Sequence, residues 1–226
     1  MPPRPPLFAE YFLLAHDGYS GRPHIDAALL GAGVAGALLG ELALAGHIRL
    51  GDGAVRVTGT PPDPVGASTV DTLRGAEHGA ERWIELLASA AYTMVGDDLV
   101  RAGVVRRPPP RRLERLAGLA GLAAARPRYL AADALAAAAP RILLRHAADV
   151  TGAGGGFPIR VDERTRALAA LAVATGLEPV VADAANRAAL GRLRAMAAAV
   201  TGDAHTVAEA VGAAAARIAL TPRRGT

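Results

Sequence analysis

The chain has 226 residues, with 51% hydrophobic and only 4% aromatic residues, so its core is built from Ala, Leu and Val. All 25 basic residues are Arg, the formal charge is +4 and Cys is absent, which excludes disulfides, thiol catalysis and cysteine-ligated metal sites. That charge permits contact with an anionic surface or nucleic acid without requiring either.

Residues 1–6 read as a proline-rich, disordered tail and 221–226 as a second tail, leaving 7–220 as one compact domain. No cleavage site follows MPPRPP, so a cytoplasmic protein is expected. Residues 7–14 form a first predicted helix, and YSGRPHID is a polar turn. Asp26 is a natural N-cap for a long helix running to about residue 45, closed by Gly46. Fourteen residues from Ala27 to Gly40 carry no charge before Glu41 interrupts, a length suited to a buried core helix rather than a membrane span. HIRL and AVRV around Gly51-Asp52-Gly53 predict a hairpin.

TGTPPDPVG is a loop, followed by predicted helices at 67–76 and 80–91 and a short one ending at 102–103. Residues 104–107 predict a strand before three prolines. From 111 to 125, Leu113, Leu116, Leu119 and Leu122 recur at three-residue steps among Arg111, Arg112 and Arg115, a basic amphipathic pattern. Residues 128–130 can return as a strand. A helix over 131–149, interrupted or kinked around Pro140, leads into a glycine-rich flexible loop at 151–158, and helices are expected at 163–176, 185–200 and 203–219. The fold class is therefore mainly α, a single compact helical domain with one or two β-hairpins.

Two chemical readings compete over residues 29–52. Gly31, Gly33 and Gly36 spell GxGxxG, with Asp52 at the distance of a ribose-binding acid. Such a fingerprint needs a Val/Ile-rich strand before it, whereas Ile25 to Leu30 offers an acid, alanines and leucines. A helix followed by a hairpin also suits a winged-helix nucleic-acid binder, but this helix carries only Glu41 and has nothing with which to read a groove. The six histidines show no ligand spacing, no Lys exists to complete a phosphate loop, and Asp97-Asp98 suits a solvated helix face. No catalytic residue, metal site or cofactor is expected.

GALLGELALAGHIRL, TPPDPVGASTVDTL, Trp83-Ile84, LVRAGVV, Arg128-Tyr129 and DERTRALAALAVATGL follow one another in that order. This order of segments resembles the Golgi phosphoprotein 3 family, peripheral Golgi adaptors that bind phosphatidylinositol 4-phosphate, and its actinobacterial relatives. The resemblance implies a non-enzymatic lipid-binding module. The family's headgroup tryptophan falls near His24 or Ile25, and its three pocket arginines fall on Ala35, Ser89 and Tyr92. All four are replaced, so the resemblance implies the scaffold without its phosphate donors. The family's membrane-contacting insertion corresponds to residues 104–130, making Arg106, Arg107, Arg111, Arg112, Arg115 and Leu116 the membrane-contact candidates. The expected partner is an anionic phospholipid surface on the inner face of the membrane, with a protein–protein adaptor or homo-oligomer without lipid binding as the alternative; neither nucleic acid nor a transmembrane segment is expected.

Overall fold

The computed structural model describes residues 4–109, 127–152 and 161–221. Its first helix, α1 (Leu7–Leu14), is buried along its whole length and packs on α2 (Ala27–Leu44), the centre of the molecule. Asp26 caps α2 by accepting from the Ala28 N–H at 2.8 Å. The hairpin β1 (Ile48–Gly51) and β2 (Ala54–Val57) follows, with Leu50 opposite Val55. Its turn places both Asp52 and Gly53 at positive φ, the geometry that matches the twist of paired strands.

Helix α3 (Pro64–Leu73) starts with Asp63 as cap and Pro64 in its first turn, three residues earlier than periodicity suggests. Helix α4 (Ala80–Arg101) is one continuous helix of 22 residues where two were expected. Residues Ile84, Leu87, Ala91, Tyr92, Val95 and Leu99 continue a single buried stripe through the weakly apolar stretch at 88–90. The two-residue strands β3 (Val105–Arg106) and β4 (Leu130–Ala131) pair antiparallel and close the ends of the intervening segment.

The C-terminal half is α5 (Ala134–Gly152), α6 (Glu163–Ala174), the short α7 (Glu178–Val181), α8 (Arg187–Ala198) and α9 (Gly202–Leu220). Helix α5 runs through Pro140 rather than breaking there. The glycine-rich loop expected at 151–158 falls largely outside the described residues.

Helix α2 is enclosed by α1, α4, α6 and α9. It is long and apolar enough to cross a membrane by length and composition, yet 72% of that stretch is buried inside the protein. The three glycines of GxGxxG lie in its interior and point to different sides. A methyl group on Gly31 would strike the Ala88 carbonyl of α4, one on Gly33 the Tyr11 hydroxyl of α1, and one on Gly36 Val211 of α9. The motif is thus a three-sided packing device. Among the described residues no strand precedes it, which removes the dinucleotide reading. Its burial removes the groove-reading helix as well.

Candidate functional site

The α1–α2 connection folds into a tight loop. Asp17 Oδ1 accepts from the Ser20 N–H at 2.6 Å, and the His24 N–H donates to the Ala15 carbonyl at 2.9 Å. The Ser20 hydrogen bonds hold the Asp17 carboxyl below its usual range. Gly21 has φ +63°, and a side chain there would collide with the Tyr129 carbonyl. Arg128 donates to the Ser20 carbonyl at 2.8 Å, so the loop rests on the approach to β4. Tyr19 at the tip is 97% exposed.

Beneath the loop, Phe12, His16, Tyr92 and Tyr129 form one aromatic cluster, with ring centroids 4.4 Å apart for Phe12–His16 and 5.5 Å for Tyr92–Tyr129. His16 Nδ1 lies 2.7 Å from the Phe12 carbonyl. A carbonyl can only accept, so Nδ1 carries the hydrogen. Burial lowers the His16 pKa from 6.5 to about 4. Tyr92 Oη is 3.3 Å from His16 Nε2 and donates to the Pro127 carbonyl at 3.0 Å. On the far side Arg107 donates to Asp97 and, at 2.8 Å, to the Tyr129 hydroxyl, with its guanidinium over the Tyr129 ring. Gly96 gives that ring room, since a methyl group there would overlap it.

Between the loop and the first turns of α5 is a recess of about 280 Å³ lined by His16, Asp17, Tyr19, His24 and Arg141 among alanines. Arg141 is exposed and its guanidinium has no ion pair or hydrogen bond among the described residues. Also among the described residues, no three His, Asp or Glu side chains come together as a metal site.

A family model described as Golgi phosphoprotein 3 (GPP34) matches residues 7–218. The chain belongs to that family. No curated protein matches it. The match begins at the first residue of α1 and ends within α9, so it takes in the glycine-bearing helix, both strand pairs and the aromatic cluster.

In this Golgi phosphoprotein 3 family member the positions aligned with the headgroup pocket are scattered in character. His24 is exposed at the rim of the recess, and the other three positions do not line it. Ala35 is fully buried in α2, Tyr92 is buried in the aromatic cluster, and Ser89 is exposed on α4. Of the membrane-contact candidates, Arg106 is exposed and unpaired among the described residues. Arg107 differs from expectation, being engaged by Asp97 and Tyr129 rather than free for lipid. Asp97 correspondingly binds Arg107 and Tyr129 instead of facing only water. Arg111, Arg112, Arg115 and Leu116, with Leu113, Leu119 and Leu122, lie outside the described residues.

Sequence reasoning missed Tyr129, His16 and Arg141. One signal was available: aromatics are so scarce that three of the seven Phe and Tyr residues converging here mark a built cluster.

Proposed function

We propose that this family member is a non-enzymatic module that associates peripherally with membranes through anionic lipid, on the inner, cytoplasmic face, without recognising one headgroup. One observation carries the reading. The arginine- and leucine-bearing stretch 104–130 departs from and returns to one base, through the β3–β4 pair, Arg107 on Asp97 and Tyr129, and Tyr92 on Pro127. Within it, Arg111, Arg112, Arg115 and Arg126 alternate with leucines. Arginines near an anionic bilayer contribute about 1 kcal/mol each, and an apolar stripe beside them gives reversible binding. Loss of headgroup specificity is supported by Ala35, which has no side-chain donor, and by Tyr92, whose hydroxyl already serves the Pro127 carbonyl.

Flotation with liposomes of rising anionic fraction tests the reading. Wild type floats at low salt, and Arg111→Glu/Arg112→Glu/Arg115→Glu weakens binding on the order of a hundredfold while leaving thermal stability nearly unchanged. A folded wild type that never floats overturns the proposal. A triple variant that floats like wild type removes the stretch as the contact.

A further inference from the structure

We infer that a second membrane contact lies outside that stretch: the Tyr19 tip of the α1–α2 loop and the Leu135–Ile142 side of α5, flanked by Arg22 and Arg141, dock on an anionic phospholipid surface. This rests on the membrane reading above and adds a site to it. Among the described residues, Tyr19, Leu135 and Ile142 are 97%, 77% and 57% exposed. Tyr19 shares the recess with Ala134 and Arg141, the helical neighbours of Leu135 and Ile142. Leu135 and Ile142 are two turns apart and so stand on one side of α5, with exposed Ala139 between them. Single exposed apolar residues are ordinary, but an apolar stripe on α5, about a quarter turn round from the face that lines the recess, together with an exposed tyrosine at that recess forms an interaction surface.

The chemistry around it points to lipid. A tyrosine beside aliphatic side chains and arginines is the composition of a membrane–water interface, with the ring at headgroup depth. Arg22 and Arg141 are exposed and have no ion pair or side-chain hydrogen-bond partner among the described residues, leaving their planar donors for phosphate. The acids of this end, Asp17, Asp26 and Asp133, accept from the backbone N–H groups of Ser20, Ala28 and Leu135. Those carboxylates are held at turn and helix starts, where the peptide dipoles offset part of their charge. The tip is already ordered by Asp17, Gly21 and Arg128, so docking Tyr19 carries little ordering cost.

The test uses the full chain and phosphatidylcholine vesicles containing about one-third phosphatidylserine. Tyr19→Trp, with brominated acyl chains in the vesicles, shows quenching above the wild-type background from buried Trp83. Tyr19→Ser/Leu135→Ser/Ile142→Ser, folded by circular dichroism, floats about tenfold or more weakly than wild type, and Arg22→Glu/Arg141→Glu does the same. If wild type floats, the serine variant floats equally and no quenching is seen, this contact is overturned while the membrane reading stands. If wild type never floats, both fall. A serine variant that loses only self-association by light scattering assigns the surface to a second copy and overturns the lipid contact. Should that variant fail to fold, the quenching measurement alone decides.

Discussion

His16 sits where chemistry and packing pull in opposite directions. Its ring stacks on Phe12, its Nδ1 hydrogen goes to the Phe12 carbonyl, and burial holds its pKa near about 4 against 6.5 in an unfolded chain. Between those values the unfolded state binds a proton that the folded state refuses. Stability is therefore fully present above pH 6.5 and falls as pH drops towards 4, by about 3 kcal/mol at most. Denaturant titrations at pH 7 and pH 4.5 check this, with His16→Gln as comparison because its amide can still donate to the Phe12 carbonyl. The glutamine variant loses that part of the pH slope; equal slopes would show that His16 does not supply it. Glu10, whose carboxyl is raised by burial, titrates in both proteins and cancels. Little of this residue-scale design was legible in the sequence. Asp97 looked like a solvated acid because its partners, Arg107 and Tyr129, are 10 and 32 residues away. Tyr92 could be aligned with a lost arginine, but nothing local announced that its hydroxyl would reach Pro127.

At the scale of elements, legibility follows the range of the forces. The caps Asp26, Asp63 and Asp162 act within three residues; the starts behind Asp26 and Asp162 can be read from the chain, while periodicity places that of α3 three residues late. Helix α4 reads as two helices because the Ala/Leu pattern weakens after Ala91, at Thr93 and Gly96, and only the packing shows why it continues, Gly96 making room for the Tyr129 ring. Ala88 must be small for Gly31 to approach its backbone. The glycines of α2 give a sharp contrast with those elsewhere. Gly33→Ala drives a methyl group into Tyr11, whose hydroxyl donates to Thr175 at 3.0 Å inside the core. Overpacking of this kind costs about 1–3 kcal/mol or more. Gly191, in the interior of α8, has nothing near where a methyl group would stand. Gly191→Ala stabilises by roughly 0.5–1 kcal/mol through helix propensity and a less flexible unfolded chain. Thermal melts of the two variants should move in opposite directions. A tolerated Gly33→Ala would mean that α1 and α2 can part without loss, against the account of α2 as a three-sided packing device.

The whole molecule is held at its N-terminal end by charges far apart in sequence. Composition suggested a free proline-rich tail over residues 1–6, yet Arg4 pairs with Glu10 and with Asp162, the cap of α6. Glu41, which in the sequence merely interrupts an apolar run, does two further things. Its carboxylate receives Arg164 of α6 through both oxygens and also accepts from the Leu7 N–H, capping α1, whose Pro6 offers no side-chain cap. One acid thereby joins α1, α2 and α6 across separations of 34 and 123 residues. Removing it leaves a guanidinium only 26% exposed without its partner, together with an uncapped helix start. Glu41→Ala should therefore cost about 2–4 kcal/mol, the range for breaking a largely desolvated charge pair and losing a cap. Glu41→Gln keeps an oxygen for Leu7 but loses the charge and one of the two acceptors for Arg164, so it should fall between alanine and wild type. Arg164→Ala, which leaves the cap intact, should be milder than Glu41→Ala. Denaturant unfolding of the three variants gives this order. If Glu41→Ala and Arg164→Ala are equally destabilised, the cap on α1 contributes nothing and the carboxylate acts only as a counter-ion. Vesicle binding should be unchanged in all three at temperatures where they remain folded, because this network touches neither the α1–α2 loop nor the exposed side of α5.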